Sequence, residues 1–329
     1  MTAGNLPGVF GGVIVAKMLK FTKLEGCGND FVVVDLRAGD LHPSPATPDA
    51  AKAICDRRFG VGGDGVLALW PAASPGAIAR MQVLNADGSE AEMCGNGIRC
   101  VAKYLYERDP AARLAELPID TGAGLLRCGV TLDSRRHVTH VSVLMGRPRL
   151  LAEEIPAQVP GVAAGDKIVN HEIELGGRRF RFTAVSMGNP HAVIFVAGDE
   201  KQPLRELAEK YGPHLEKHPW FPKKTNAEFA KLGEPGEIEL VVWERGCGIT
   251  LACGTGACAT GVAAVLNHHA FPDEEIAVHL LGGTLHVNVK ADLSGVTMRG
   301  PADEVFEAEL DLAALLARGG EGKPRRKSA

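Results

Sequence analysis

Two short segments of the chain combine a cysteine with glycine and small polar residues. Residues 92–100 read EMCGNGIRC and residues 251–261 read LACGTGACATG. Helix-forming residues follow in both, so Cys94 and Cys253 are each predicted to lie at the N-terminus of a helix. The free N–H groups and positive dipole end there favour a thiolate. The adjacent glycines let a ligand reach the same N–H groups, and a carboxylate is a natural guest.

Two other interpretations of these segments fit less well. Residues 254–259, GTGACA, match a dinucleotide-binding pattern, but no strand leads directly into them and no second strand follows. In a helix, Cys100 and Cys258 would point away from Cys94 and Cys253, so neither pair could easily hold one metal ion. Both are predicted to be buried core thiols. The sequence therefore predicts no metal site and no cofactor.

The chain repeats its landmarks at a nearly constant distance. Asn29 and Asn189, each in a Gly-Asn turn, are 160 residues apart, and Cys94 and Cys253 are 159 apart. This spacing indicates two similar domains of about 140 residues each, an ordinary domain size. The alternative is that the two halves merely share common strand and turn patterns.

The elements between these landmarks predict an α+β fold. Strand patterns such as FVVVD, VLALW and MQVL precede a helix at 98–108, and IELVVW precedes a helix at 257–268. A further helix is predicted at 203–210. Mostly antiparallel strands with one principal helix per domain fit this pattern better than alternating βαβ units.

Domain limits follow from the same pattern. We predict a first domain at 18–144 completed by a last strand and helix at 296–316, and a second domain at 145–295. Residues 1–17 are predicted to be a disordered or non-native extension, and residues 317–329 a disordered basic tail.

Composition narrows the possible partners. The 329 residues carry a net charge of −4, which argues against a nucleic-acid binder. The apolar run near the N-terminus is too short to span a bilayer. Eight cysteines without an evident secretory signal indicate a reducing cytoplasm. A cytoplasmic protein with a small-molecule ligand is expected, without nucleic acid or membrane.

Two similar domains would bring both thiols to one cleft, with the ligand between them. That arrangement suits inversion of a stereocentre, in which a proton leaves one face of a carbon and another arrives on the opposite face. A thiolate and a thiol can serve as base and acid, and they exchange roles for the reverse reaction.

The longer motifs resemble those of one enzyme family. GCGNDFVVVD, NADGSEAEMCGNG, SMGNPHAV and ERGCGITLACGTGACA are similar to segments of diaminopimelate epimerases, and the resemblance runs from about Met18 to about Leu312. It implies an isomerase that interconverts LL- and meso-2,6-diaminopimelate without pyridoxal phosphate or metal, in lysine and peptidoglycan precursor biosynthesis. It also implies a sheet around a central helix in each domain, with the active site in the cleft between them. The expected partners are diaminopimelate and a second copy of the chain in a homodimer.

The resemblance also assigns roles to individual residues. Cys94 and Cys253 correspond to the base and acid, and His191 and Glu244 are expected to tune the protonation of the thiols. The positions that match substrate-binding residues of the family are Asn29, Asn85, Gly95, Asn96, Asn189, Asn226, Glu244, Arg245, Gly254 and Thr255.

Three residues depart from the family pattern. Gly65 stands where some members have a glutamine that contacts substrate. Cys27 and Cys247 replace other small or apolar residues and are expected near the cleft, where they most simply fill space.

Other functions remain open at this stage. The chain could be a different amino-acid racemase, such as a proline racemase-like enzyme. It could also be a redox protein that uses Cys94 and Cys253 as a dithiol, although it lacks a C-x-x-C motif. A binding module without catalysis is a third possibility.

Overall fold

The computed structural model describes residues 18–39 and 44–320, except the side chains of residues 319 and 320. The predicted extension at 1–17 and residues 321–329 of the predicted tail lie outside these residues. The helices of the described residues are α1 (Pro48–Cys55), α2 (Gly95–Arg108), α3 (Leu204–Glu216), α4 (Gly254–Leu266) and α5 (Leu312–Gly320), with a 3-10 turn at Pro110–Ala112.

The strands fall into two sets along the chain. The N-terminal half, residues 18–146, contains β1 (Leu19–Gly26), β2 (Asn29–Asp35), β3 (Gly65–Trp70), β4 (Ala79–Asn85), β5 (Glu90–Ala91), β6 (Leu117–Thr121), β7 (Gly124–Leu132) and β8 (Val138–Gly146). The C-terminal half, residues 147–302, contains β9 (His171–Leu175), β10 (Arg178–Ser186), β11 (Pro190–Phe195), β12 (Asn226–Leu232), β13 (Glu237–Glu244), β14 (Gly248–Ile249), β15 (Glu275–Leu280), β16 (Gly283–Val289) and β17 (Val296–Pro301). The last strand is β18 (Asp303–Leu310).

Strand pairing repeats between the halves. In the N-terminal half, β1–β2 is antiparallel, β2–β3 parallel and β3–β4 antiparallel, and β4 pairs with β5 and, in parallel, with β6. The meander β6–β7–β8 completes the set. Strands β10 to β17 pair in the same order and directions. The prediction of two similar, mostly antiparallel α+β domains is therefore confirmed.

The halves are joined by the chain's last strands. β18 pairs with β1 as β9 pairs with β10, so the chain returns to the N-terminal half. β17 pairs with β16 on one side and with β8 on the other, which joins the two sheets. Because β17 contacts both halves, the boundary at residue 296 stays a prediction. Residues 317–320, the start of the predicted tail, continue helix α5.

Each half encloses one central helix. Ile98, Cys100 and Val101 of α2 are fully buried, as are Cys258 and Val262 of α4. Helix α4 is apolar on nearly every side, as expected for a helix enclosed by the rest of its domain. Helix α2 differs, because it also carries two buried basic side chains. The prediction of two core thiols is confirmed.

The helix limits differ from prediction in small ways. Helices α2 and α4 begin three residues earlier than predicted, because each cysteine side chain caps the first turn. Helix α4 ends at Leu266 rather than at His268, which has a positive φ of 60°. Helix α3 runs beyond its predicted end to Glu216, and Pro203 is its N-cap. None of the helices within the described residues is long and apolar enough to cross a membrane.

Candidate active site

Cys94 and Cys253 are the N-cap residues of the two central helices. Both have extended backbones, with φ of −136° and −120°. The sulfur of Cys94 accepts a hydrogen bond from the Gly97 N–H at 3.4 Å, and that of Cys253 accepts one from the Gly256 N–H at 3.4 Å. Each sulfur thus occupies the capping position where a negatively charged acceptor is most favoured.

The two helix starts lie next to each other. A Cβ atom built on Gly95 would lie 3.9 Å from the Cα of Gly254, and Met298 would contact such an atom on either glycine. The side-chain amide of Asn96 donates to the Ala252 carbonyl, across the halves, at 3.2 Å. The fold therefore brings both cysteine motifs to one junction, where the lack of side chains on the two glycines lets the helix starts and Met298 approach closely.

Two predicted asparagines of the N-terminal half lie in different surroundings. Asn29 Oδ1 accepts from Asn96 at 3.1 Å and from the Cys94 thiol at 3.9 Å. Asn85 ends β4, and its amide donates to Ser89 Oγ within its own turn at 2.9 Å. The structure thus places Asn29 and Asn96 beside Cys94, whereas Asn85 is bonded within its own turn.

The C-terminal half places Asn189, Thr255 and His191 near Cys253. Asn189 Nδ2 donates to Thr255 Oγ1 at 3.3 Å, and that hydroxyl lies 3.6 Å from the Cys253 sulfur. His191 is fully buried, and its Nε2 lies 3.0 Å from Asn189 Oδ1. His191 therefore reaches Cys253 through two intermediate side chains.

Glu244, Arg245 and Asn226 form a second group. Asn226 Oδ1 accepts from the Arg245 backbone N–H at 2.8 Å, which fixes the turn after β13. The Thr250 hydroxyl donates to Glu244. The Arg245 guanidinium donates to the Lys223 carbonyl at 3.1 Å.

A cavity of about 390 Å³ lies beside this second group. Arg245, Asn189, Lys223 and Arg149 are among its lining residues. Two acidic side chains, Glu153 and Glu154, also line it. A cavity with both cationic and acidic side chains suits a ligand group that carries both a carboxylate and an amino group.

Opposing influences act on the thiols. Burial raises the pKa of Cys94, and the N–H groups of Gly97 and Asn96 work against it. Burial also raises the pKa of Cys253 well above its ordinary value, and the charge of Glu244 adds to the effect. Burial raises the pKa of Glu244 itself. At rest the surroundings favour protonated sulfur, while the N–H donors of the helix ends are ready to stabilise negative charge.

One buried residue that the sequence reasoning missed is Arg99. Its guanidinium donates to the Gly95 carbonyl at 3.1 Å, to Asn96 Oδ1 at 2.9 Å and to the Pro301 carbonyl at 3.0 Å. A Cβ atom on Gly26 would lie 2.9 Å from it, so the close approach requires glycine there. Burial raises the pKa of Cys94, and the positive charge of Arg99 opposes this rise. In the sequence, the feature that could have identified this residue was an arginine inside the otherwise apolar run IRCVA.

Glu228 is the second missed residue. Its side chain is fully buried in β12, with Oε1 2.6 Å from His191 Nδ1. Burial raises its pKa. A glutamate in the buried strand NAEFA, two residues after Asn226 and so on the same face, was the available signal.

The three residues that depart from the family pattern differ in exposure. A Cβ on Gly65 would lie 2.8 Å from the Leu84 carbonyl, so a glutamine could not be accommodated there without a shift. Cys27 is buried at a positive φ of 56°, and Cys247 is exposed. Within the described chain, no three His, Cys, Asp or Glu side chains are placed to hold a metal ion.

Solved structures share this fold. A hydroxyproline epimerase from Agrobacterium vitis matches with a TM-score of 0.61 and 17% identity, over 89% of this chain and 91% of that one. A phenazine biosynthesis protein of the PhzF family from Bacillus anthracis matches with a TM-score of 0.62 and 18% identity, over 89% of this chain and 99% of that one. The fold therefore places the chain in the class of two-domain proteins that includes this epimerase.

Sequence comparison gives the family. The family model for diaminopimelate epimerase matches residues 21–151 and 183–305. A diaminopimelate epimerase of Heliobacterium modesticaldum is 46% identical over 294 residues, which span 89% of this chain and 100% of that protein. The chain belongs to the diaminopimelate epimerase family.

Proposed function

We propose that this chain interconverts LL- and meso-2,6-diaminopimelate by moving a proton at one α-carbon, in lysine and peptidoglycan precursor biosynthesis. One observation carries the proposal: two cysteines, one from each half, cap adjoining helix starts at a single junction. The family membership supplies the substrate.

The reaction needs one sulfur on each face of the α-carbon. One cysteine, as thiolate, takes the α-proton, and the electrons of the broken C–H bond pass into the adjacent carboxylate. The other cysteine, as thiol, gives its proton to the opposite face, so that a new C–H bond forms with inverted configuration. One thiolate and one thiol remain with exchanged roles, and nothing is oxidised or reduced.

Stabilising the carbanion is the demanding part. Enzymes lower barriers by about 8–23 kcal/mol, whereas a helix dipole contributes at most about 2 kcal/mol. A donor placed on developing charge contributes about 3–4 kcal/mol. Several N–H donors from the starts of α2 and α4 are therefore required, in a site from which water is excluded.

Substrate roles follow the two ends of diaminopimelate. The reacting carboxylate binds the N–H groups and side chains of Gly95, Asn96, Gly254 and Thr255. The distal end, with its own amino and carboxylate groups, binds Asn189, Asn226, Glu244 and Arg245, of which Asn189 and Arg245 line the cavity. Asn29 and Asn85 contact the substrate from the N-terminal half.

Solvent isotope incorporation tests the mechanism. LL-diaminopimelate incubated with the protein in D₂O should gain one deuterium at the inverted α-carbon as the meso isomer forms, followed by mass spectrometry and NMR. Formation of the meso isomer without deuterium uptake would contradict proton transfer through the thiols.

A substrate panel tests the specificity. Both diaminopimelate isomers, proline, glutamate and lysine are offered separately, and α-proton exchange with D₂O is followed. Exchange is expected only with diaminopimelate, because only it carries the two charged groups at its distal end. Faster exchange with proline would assign the chain to a different racemase activity.

We further propose a cytoplasmic homodimer. All eight cysteines are described and are free thiols, as expected in a reducing compartment. Val305 and Phe306 expose apolar side chains on β18, which supports a contact between copies there. Analytical ultracentrifugation should give twice the chain mass, and a monomer at micromolar concentration would contradict this.

A further inference from the structure

A buried acid and imidazole lie behind Cys253. Glu228 and His191 are both fully inaccessible to solvent, and Oε1 and Nδ1 are 2.6 Å apart. They come from the parallel neighbours β12 and β11. Glu228 Oε2 is buried without a hydrogen-bond partner among the described residues. An acid with one oxygen unsatisfied is costly to bury, so a role beyond packing is indicated.

Hydrogen bonds lead from this pair to the thiol. His191 Nε2 lies 3.0 Å from Asn189 Oδ1, Asn189 Nδ2 donates to Thr255 Oγ1 at 3.3 Å, and Thr255 Oγ1 lies 3.6 Å from the Cys253 sulfur. With the contact at Glu228, four links connect a buried carboxyl group to one of the proposed proton-transfer groups.

The positions of the protons give this series of hydrogen bonds a direction. Asn189 Oδ1 is only an acceptor, so His191 must carry a proton on Nε2. The short contact between Nδ1 and Glu228 holds a second proton, and Nε2–H is retained whichever atom carries that proton. Thr255 accepts from Asn189, so its own hydroxyl hydrogen is free for the sulfur of Cys253. From Nε2 onward, every donor then points toward the sulfur.

We propose that Glu228 is a positioning residue that acts through His191, Asn189 and Thr255 to direct a hydrogen bond onto the Cys253 sulfur and so favours its thiolate. The inference deepens the proposed function, in which Cys253 is one of the two proton-transfer groups. Without Glu228, Nδ1 of His191 loses its fixed partner, so either ring nitrogen can carry the proton of a neutral imidazole. The series of hydrogen bonds from His191 to Cys253 then loses its direction.

Other groups that face the pair are fixed by the fold. The charge of Glu244, on β13, raises the pKa of both Glu228 and Cys253. The uncharged amide of Asn226 lies 3.4 Å from His191 Nδ1. On α4, the Gly256 N–H supports the sulfur directly. When Glu228 is ionised, its charge also raises the pKa of Cys253, whereas burial raises the pKa of Glu228 and so favours its neutral form. The directed hydrogen bond from Thr255 therefore works with Gly256 against burial, Glu244 and any charge on Glu228.

Alkylation of individual thiols tests the proposal. The rate of iodoacetamide modification at Cys253 is measured against pH by peptide mass spectrometry, with Cys94 as internal reference. Loss of the Glu228 charge by itself lowers the pKa of Cys253, so two uncharged variants are compared. Glu228→Leu should place the Cys253 profile about one pH unit above that of Glu228→Gln, which is about tenfold slower alkylation at a fixed lower pH. The Cys94 profile should stay in place.

Two further variants identify the route. Glu228→Gln is the reference for the Leu variant, because its amide N–H can donate to Nδ1 and keep the proton on Nε2. Thr255→Val should move the Cys253 profile upward from the other end of the hydrogen-bond chain. With Thr255→Val also present, the Leu and Gln variants should have the same profile, since both then lack the route.

Asp120→Asn is the matched control. Asp120 is also a buried acid, but it accepts from the Ala73 and Ser74 N–H groups in the N-terminal half. Loss of that carboxylate should leave the Cys253 profile unchanged, whatever its effect on thermal stability.

Four results would overturn the proposal: Leu and Gln variants with the same Cys253 profile, a Leu–Gln difference that is equal at both thiols, a Thr255→Val protein with the wild-type profile, or a Leu–Gln difference that persists with Thr255→Val. If the Leu variant does not fold, Glu228→Ala against Glu228→Gln, each with and without Thr255→Val, gives the same comparison. Alkylation requires no turnover, so failure of the proposed epimerase activity would be seen separately.

Discussion

At the scale of single residues, each thiol is subject to a balance between burial and donated hydrogen bonds. Burial raises the pKa of both Cys94 and Cys253, and the N–H groups of Gly97 and Gly256 oppose it. The balance differs between the two, because Arg99 supplies positive charge near Cys94 whereas Glu244 and Glu228 surround Cys253 with acids. Two thiols with unlike surroundings suit a pair in which one is ionised and the other is not.

Replacing either cysteine by serine should nearly abolish turnover. A hydroxyl is a much weaker acid than a thiol, and loss of one acid–base group costs about 10²–10⁴-fold. Steady-state kinetics of Cys94→Ser and Cys253→Ser measure this. Cys247→Ser is the control, because that thiol is exposed in the turn after β13. Equal activity in all three variants would remove the thiols from the mechanism.

Glu244→Gln should move both alkylation profiles to lower pH. The Glu244 carboxylate raises the pKa of Cys94 and of Cys253, so an uncharged amide should leave both thiols more acidic. Turnover should still fall, because the proposed contact with the distal end of the substrate is lost. Profiles that stay in place, or move to higher pH, would show that the carboxylate does not act on the sulfurs.

At the scale of elements, the sequence revealed the repeat but not all of its parts. The Gly-Asn turns and Cys-Gly helix starts recur in both halves, so doubling could be predicted from their spacing. Strands β5 and β14 have only two residues each, too few to show any periodicity. Helix α1 was missed because it has eight residues, although Thr47 and Pro48 form a recognisable start.

Site residues that depend on distant partners could not be found by pattern alone. Arg99 is held by the carbonyls of Gly95 and Pro301, and the latter lies 202 residues away along the chain. Glu228 meets His191 only because β11 and β12 pair in parallel. In both cases the residue type was an anomaly in an apolar run, and its partner became evident from the fold.

Two glycines of helix α4 should have opposite effects when changed to alanine. A Cβ on Gly254 would lie 3.1 Å from the sulfur of the buried Met298, where the two helix starts meet. Gly254→Ala should leave the free energy of unfolding within about 1 kcal/mol, as for alanine at other helical positions, but lower kcat/KM. The expected loss is about 10²-fold, because the start of α4 must shift away from Met298 and its N–H donors move with it.

Gly261→Ala is the contrasting variant in the same helix. Its Cβ would lie 2.7 Å from Val287 in the core, so overpacking should cost about 1–3 kcal/mol in urea unfolding. The activity of the remaining folded protein should be retained. Equal loss of activity in the two variants would show that disturbing α4 anywhere is enough, and that the junction is not special.

At the scale of the whole molecule, contacts between the halves surround the site. The β1–β2 turn of the N-terminal half meets the β15–β16 turn of the C-terminal half, where a Cβ on Gly282 would lie 1.9 Å from the Cys27 carbonyl oxygen. The β8–β17 ladder joins the sheets elsewhere. The position of the two cysteines relative to each other therefore depends on how the halves are assembled. Neither half alone contains the complete site.

Oxidation should join the two thiols that this assembly brings together. A disulfide needs Cα atoms about 4.4–6.8 Å apart. The residues that follow the cysteines, Gly95 and Gly254, already meet closely enough for one added carbon to lie 3.9 Å from the facing Cα. Diamide, which takes the two hydrogens and two electrons, should link Cys94 to Cys253 and abolish turnover, and dithiothreitol should restore it.

Peptide mapping of the oxidised protein decides the outcome. The variant Cys247→Ser removes the exposed thiol that would otherwise compete for the oxidant. A cross-linked peptide pair containing residues 94 and 253, formed in step with the loss of activity, is expected. An inactive oxidised protein in which both thiols still react with iodoacetamide would mean that the halves hold the sulfurs too far apart to act on one carbon atom.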